Sequence, residues 1–342
     1  MYVQYPLYQS KICWFYDIIK TEHTFYFLGG GFILHKEGSS FYSRITGKLL
    51  GDGSITKQQR RKPRFQFIHR IEDKEWATHC YKQLRSFIPL NSPKYKKVID
   101  SRVKAGFTES FYVQSRTCEI ITFLESIWYK DRIKQLPIEF INLYLNAEAL
   151  AWWYQDDGNL KQDNGIPRKI ILSTDNFLPE ENQILINLLK QKFLLHFSLD
   201  GQNRLILYDQ FQILYFLRLV EPYIHSSMKR KQIVHSQPKQ LAKTTTIYLP
   251  SEFHIQKPTS EINSKLVKLK SLLNYVTERK GHLYFYRKHY KQLNDKSDTK
   301  GYRIIIRENF RDQLSQIRFI TGLSNSKIIE WCFRGVNLEV LG

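Results

Sequence analysis

The sequence has little of what holds a secreted or metal-stapled domain together. Its four cysteines, Cys13, Cys80, Cys118 and Cys332, stand far apart in 342 residues, with no C-x-x-C pair and no Cys/His cluster. That spacing excludes a disulfide framework and a zinc-finger type of site, and predicts reduced, buried thiols. No apolar run approaches the roughly 20 residues of a membrane span. The nearest, FYFLGGGFIL at 25–34, is short and broken by glycines. The first residues lack a basic n-region, and Asp17 and Glu22 argue against an imported transit peptide. The expectation is a protein without a membrane partner, working in a reducing compartment where it is made. Acids are scarce beside bases: Asp plus Glu is 32, Lys plus Arg is 52, the net charge is +20 and the pI is 9.6. An excess of this size points to a polyanionic partner, nucleic acid first. Hydrophobic residues make up 42%, enough for a core and too many for a disordered tail.

Periodicity organises the chain. FYSRITGKLLGDGSI (41–55) reads as a helix ending near Gly53, with glycine in the left-handed terminal conformation. RFQFIHR (64–70) reads as a strand with Phe65 and Phe67 on one face and Arg64, Gln66 and Ile68 on the other. A helix at 74–88, a strand at 111–116, a helix at 119–129 and a basic loop, KDRIKQLP, follow. The series then repeats: helix 148–158, strand 168–174, helix 179–193, strand 204–209, helix 211–224 and the basic segment MKRKQ. Residues 41–140 and 141–240 therefore read as a tandem duplication, preceded by an N-terminal extension at 1–40. Residues 241–260 read as a linker. The basic extension 261–342 reads as one amphipathic helix at 262–281, an aromatic and basic stretch at 282–291, then strand, helix, turn at Gly322 and helix, a pattern weakly similar to ribbon-helix-helix DNA binders.

Each repeat opens on a helix that ends in acid-Gly: GKLLGDG at 47–53 and AWWYQDDG at 151–158. Glycines four apart, Gly47 and Gly51, let a second backbone come close. If the partner is the 148–158 helix, Asp52 and Asp157 meet at two negative helix ends, and their repulsion is relieved by a divalent cation. Oxygen donors suit Mg²⁺, with Mn²⁺ as a substitute. Lys134 and Lys231, each closing one repeat, are then candidates for stabilising charge at a scissile phosphate. The strand residues Arg64, Gln66, Arg70, Gln114, Arg116, Arg168 and Arg204 are of the types that read base edges or grip phosphates. The histidines, His69 and His79 among them, are scattered and draw no assignment. Trp152, Trp153 and Tyr154 read as core.

These motifs resemble the signatures of the LAGLIDADG homing endonucleases, in the single-chain subgroup with two repeats. KQLP (134–137), STDNF (173–177) and EPYIHSSMKRK (221–231) strengthen the resemblance, which spans roughly 41–236. It implies an α+β fold: a pseudo-two-fold pair of αββαββα halves forming a β-saddle over DNA, with a small C-terminal α/β extension. It implies Asp52 and Asp157 as catalytic metal ligands, each serving one strand, supported by Lys134 and Lys231. Gly51 and Asp156 are counted at the metal through their carbonyls, or, for Asp156, behind it. It implies a monomer that makes a staggered cut in a long asymmetric double-stranded DNA target, encoded in an intron and retained in a plastid or mitochondrion. An intron RNA partner, as for a maturase on the same scaffold that does not cut, is the alternative.

Overall fold

A computed structural model describes residues 36–232, 238, 240–294 and 298–334. Nearly all of the expected N-terminal extension, with Cys13, lies outside the described residues, as does 335–342. The first repeat comprises α1 (Lys36–Leu50), β1 (Ser54–Thr56), β2 (Arg64–Arg70), α2 (Lys74–Leu84), β3 (Lys94–Ile99), β4 (Phe107–Gln114) and α3 (Glu119–Trp128). A two-stranded hairpin, β5 (Tyr129–Lys130) and β6 (Ile133–Lys134), and α4 (Ile138–Tyr144) lead onward. The second comprises α5 (Ala147–Asp157), β7 (Gly158–Asp163), β8 (Ile166–Leu172), α6 (Pro179–Phe193), β9 (Ser198–Leu199), β10 (Leu205–Leu207) and α7 (Gln210–Val220). Each half carries a four-stranded antiparallel sheet, ordered β1-β2-β4-β3 and β7-β8-β10-β9. The fold is α+β, and the second sheet repeats the order of the first.

The periodicity reading found two strands in each half, where each sheet has four. The four missed strands, β1, β3, β7 and β9, are the outer strands of their sheets. Edge strands are short or polar and lack clean alternation: β3 reads KYKKVI and is exposed throughout. Another correction concerns Gly53. It is not among the left-handed residues. Its need for glycine is steric, since a Cβ there would lie 2.6 Å from the Lys48 carbonyl oxygen and 3.1 Å from the Phe65 ring. The basic loop 130–137 is in part the β5–β6 hairpin, turned by Asp131 and Arg132, both left-handed at φ 50° and 67°.

The segment read as a linker, 241–260, is a correction too. Its TTTIYLP forms β11 (Thr244–Pro250), paired antiparallel with β12 (Thr299–Ile305) and burying Ile247 and Leu249. β-branched residues favour that pleated, half-buried surface. The single helix expected at 262–281 is α8 (Pro258–Lys265), a 3₁₀ turn, α9 (Leu269–Thr277) and the start of α10 (Arg279–Leu293), with Glu278 extended between the last two. Gly281 allows the bend, because a Cβ there would lie 1.9 Å from the Tyr275 carbonyl oxygen. The aromatic stretch 282–291 is the core-facing side of α10. His282, Phe285, Tyr286, His289 and Tyr290 are buried, and Tyr286 stacks on Tyr215 of α7 with centroids 3.7 Å apart. The expected strand, helix, turn and helix are present as β12, α11 (Glu308–Thr321), left-handed Gly322 and α12 (Asn325–Arg334).

The pairing of α1 with α5 sets the centre of the core. A Cβ on Gly47 would stand 2.5 Å from the Ala149 carbonyl oxygen and 2.6 Å from the Trp152 Cβ. One on Gly51 would stand 2.6 Å from the Asp156 Cβ. The backbones therefore touch where the two halves join. Asn146 caps α5 by accepting from the Ala149 amide at 3.0 Å.

Gly47→Ala is expected to destabilise the protein by about 1–3 kcal/mol through overpacking, read by equilibrium urea unfolding; an unchanged midpoint would show that the helices do not meet there. A second expectation concerns acid. Burial, followed by neighbouring positive groups, pushes His79 down to about 4, His282 to about 3 and His289 to about 4. Each is harder to protonate folded than unfolded, so stability is full above pH about 6.5 and falls as the pH drops towards 4. Thermal melts between pH 7.5 and 4.5 check it; a flat profile would contradict the burial of these rings.

Candidate active site

α1 and α5 run side by side and end together, so the acids that follow them meet. The Asp52 amide donates to Asp156 Oδ2 at 3.3 Å. The two acids of the second motif differ sharply in surroundings. Asp156 has a fully buried side chain paired with Lys48 Nζ at 2.9 Å, and its Oδ1 accepts from Lys48 at 3.0 Å and from Trp76 Nε1 at 2.8 Å. Asp157, before Gly158, has no hydrogen bond or ion pair to its carboxylate among the described residues. Its pKa is pushed up to about 7, first by burial and then by the negative charges of Asp52 and Asp156. Asp52 goes the other way. Burial opposes its ionisation, but the hydrogen bond from His69 and the Lys48 charge hold its carboxyl below the ordinary range.

The basic groups surround this pair. The β5–β6 hairpin is tied down by the Ile55 amide, which donates to the Tyr129 hydroxyl at 2.9 Å. It delivers Lys134, whose Nζ donates to the Gly53 carbonyl at 3.0 Å. Burial lowers Lys134 to about 8 against the pull of Asp157, Asp156 and Asp52. Lys231 ends a 3₁₀ turn, Ser226–Lys231, and is 7% exposed. Its Nζ donates to the carbonyls of Tyr154 at 2.9 Å, of Gln155 and of Asp156 at 3.3 Å, while the Tyr154 hydroxyl donates back to the Lys231 carbonyl at 2.9 Å. A cation capping the last carbonyls of α5 is favoured by the helix dipole. Burial lowers Lys231 to about 8 as well. Alone, MKRK looks like a solvated charge run; the structure buries its second lysine.

Three residues that the sequence reading left without a role complete the cluster: Lys48, His69 and Trp76. His69 Nδ1 lies 3.1 Å from Asp52 Oδ2 and His69 Nε2 lies 2.8 Å from Lys48 Nζ. The signal was present in the pattern. His69 follows Phe65 and Phe67 on the core face of β2, and Lys48 sits between helix-packing residues four before Asp52. A charged group at a core position needs a partner. Ligand atoms of Asp52, His69 and Asp156 all lie within 4.8 Å of one another, close enough to suggest an ion among them. The Lys48 ammonium already bonds two of the three, so that pocket holds its cation covalently attached.

The predicted DNA residues are distributed unevenly. Gln66 and Gln114 are paired across β2 and β4, and the Gln114 amide donates to Gln66 Oε1 at 3.2 Å. Arg64 and Arg116 are exposed beside them. Register adds Lys94 and Lys96 to the same face through Tyr112 and Ser110. Arg70 is drawn to Asp73 at 3.1 Å. Arg204 is bound to Asp200 at 2.6 Å and closes a tight turn. Arg168 is the extra residue of a bulge in β8 and pairs with Asp163 at 3.1 Å. On the second sheet the face opposite the core instead carries Lys161 and Lys169, which are register partners.

Two sheets of one order, hung on a close helix pair that ends in acids, are the arrangement of the LAGLIDADG DNA endonuclease family. That family's model matches residues 42–218, over half of the chain, and the protein belongs to the family. It is 30% identical over 195 residues to an uncharacterized protein of Methanocaldococcus jannaschii, covering 55% of this chain and 71% of the relative. It is 29% identical over 198 residues to a probable intron-encoded endonuclease of Wickerhamomyces canadensis, covering 55% of this chain and 81% of that one. The solved structure of the homing endonuclease I-WcaI bound to its DNA recognition sequence shares the fold, with a TM-score of 0.52 and 23% identity over 58% of this chain and 88% of the other.

Removing Lys48 would strand the Asp156 charge in the interior. Lys48→Met is expected to cost about 3–5 kcal/mol, and Lys48→Met with Asp156→Leu much less. Chemical unfolding of the two variants checks it; equal losses would mean that the pair does not act as one unit.

Proposed function

We propose that the protein is a site-specific double-strand DNA endonuclease, carried by a mobile intron, that hydrolyses one phosphodiester on each strand and leaves staggered ends. The observation that carries this reading is the meeting of two acid-tipped helix ends, flanked by half-buried Lys134 and buried Lys231, in a LAGLIDADG chain of net charge +20. Asp157 is a half-buried carboxylate beside two other acids and without a hydrogen-bonding partner among the described residues, which fits a divalent ion. Asp52 and Asp157 would be the metal ligands, each serving one strand, with the carbonyls of Gly51 and Asp156 as further oxygen donors. Hard oxygen donors fit Mg²⁺, with Mn²⁺ as a substitute. When bound, the metal activates water and stabilises charge on the scissile phosphate.

The chain's own groups do the rest. Lys134 and Lys231, lowered towards neutrality by burial, stand where an ammonium stabilises the phosphate's charge or passes a proton through water. Asp156 acts as an anchor behind the site through its carboxylate. Arg64, Gln66, Gln114, Arg116, Lys161 and Lys169 supply contacts for a long asymmetric duplex bound by one copy of the chain. The gene's place is proposed as a plastid or mitochondrial intron, supported by the intron-encoded relative. Because so many cations face phosphate, binding should weaken steeply with salt.

The test uses the gene's own flanks, joined to recreate the uninterrupted insertion site in a supercoiled plasmid, with Mg²⁺. Linearisation at the junction is expected. Asp52→Asn should lower cleavage about 1000-fold, the equivalent of about 4 kcal/mol, while leaving DNA affinity within a few-fold. An intact plasmid, with tight binding to the surrounding intron RNA, would replace this reading with a maturase.

A further inference from the structure

The two acids do not have the same support. Asp156 of the second half, Lys48 and His69 of the first, and then Asp52 form a continuous chain of contacts: Lys48 Nζ to Asp156 Oδ2 at 2.9 Å, Lys48 Nζ to His69 Nε2 at 2.8 Å, and His69 Nδ1 to Asp52 Oδ2 at 3.1 Å. An ammonium only donates. His69 Nε2 must therefore accept, which leaves the ring proton on Nδ1, where it is donated to Asp52. The tautomer of one ring nitrogen is set by the bond the other makes. His69 is 5% exposed and Lys48 is fully buried, so water cannot easily substitute for either.

The second half lacks this device. Asp157 corresponds to Asp52, each standing just before the glycine that leads into the first strand. Four residues before Asp157 is Trp153, buried, in the place of Lys48. Ser54 pairs with Gln66, and Asn159 pairs with Ile171. The same register therefore puts Thr174 in the place of His69. Its hydroxyl donates to the Asn203 carbonyl at 2.9 Å and holds a turn instead of an acid.

We propose that His69, its tautomer held by Lys48, is a positioning residue for Asp52 alone, so that the two strand cuts differ in what they require. This rests on the reading that Asp52 and Asp157 each serve one strand. His69 orients the Asp52 carboxylate through Nδ1, and Lys48 fixes the tautomer while tying it to Asp156 across the helix pair. Losing His69 should slow one strand's cut by about 10- to 100-fold, the usual range when the group orienting a metal-binding carboxylate is removed. The other strand's cut should stay within about 3-fold, so the product becomes a nicked circle.

The experiment follows cleavage of a duplex target labelled separately on each strand, with the full chain, His69→Leu and His69→Gln. Glutamine carries one donor and one acceptor, so it should restore much of the lost rate; a packing defect would not be repaired by that hydrogen-bond pattern. Asp157→Asn should bias cutting towards the opposite strand. Selective ¹⁵N-histidine NMR gives a readout independent of cutting and of metal: His69 should carry its proton on Nδ1, with Nε2 bare. Nε2 protonation at neutral pH, or equal loss on both strands in a folded His69→Leu variant, would overturn the proposal. If the parent chain cuts neither strand, the endonuclease reading fails, while the NMR tautomer still decides whether Lys48 and Asp52 hold His69 as proposed.

Discussion

Everything in the site depends on how closely α1 and α5 approach. Gly47 and Gly51 remove the side chains that would hold the helices apart, and the Ala149 carbonyl and the Asp156 Cβ fill the space. Because the contact runs to the helix ends, whatever follows each helix meets its counterpart. The chain places an acid there in both halves. A contact made by van der Waals fit thus becomes an electrostatic problem at its tip, where two negative helix ends and three carboxylates gather.

The protein resolves that problem differently on the two sides. Asp156 occupies the place that Gly51 holds in the first motif and is neutralised by a buried lysine. Asp52 takes a hydrogen bond from His69. Asp157 is left with burial, and then the repulsion of Asp52 and Asp156, pushing its pKa up to about 7. A duplicated fold need not give duplicated chemistry. The halves share sheet order but differ at Lys48 against Trp153 and at His69 against Thr174, and of these four Lys48 and His69 are the ones bonded to the acids. An asymmetric duplex would meet two unlike cutting sites even before its bases are read.

How much of this was legible in the sequence varied with the physics. The close helix pair was legible because glycine at four-residue spacing has few other uses. Among the central strands, β2 was legible from its alternation and β8 from its apolar run. Their edge partners were not, since a strand like Lys94–Ile99 carries no burial signal. Gly53 was misread because a glycine required by close contact looks in sequence like one required by a left-handed turn. The strand in TTTIYLP was hidden because its partner lies some fifty residues away in sequence. Arg70, Arg168 and Arg204 were placed on the reading face by residue type, but each is held by an aspartate close by in the chain, Asp73, Asp163 and Asp200, a local pairing that residue type alone does not weigh. His69 drew no assignment because the histidines are scattered along the sequence, and its partners Asp52 and Lys48 come beside it only when β2 packs against α1.

The C-terminal extension is built onto the second half. Tyr286 stacks on Tyr215, and its hydroxyl donates to the Leu194 carbonyl at 2.7 Å. Arg279 Nε donates to the Arg218 carbonyl at 3.0 Å. Its β11–β12 ribbon is completed within one chain. The central claim remains the division of labour among the three acids: Asp52 and Asp157 at the metal, Asp156 as their anchor. The most direct measurement is Mn²⁺ binding to the target-bound protein, counted by electron paramagnetic resonance. The account predicts that bound Mn²⁺ disappears in the Asp52→Asn, Asp157→Asn double variant. Manganese retained there would contradict it.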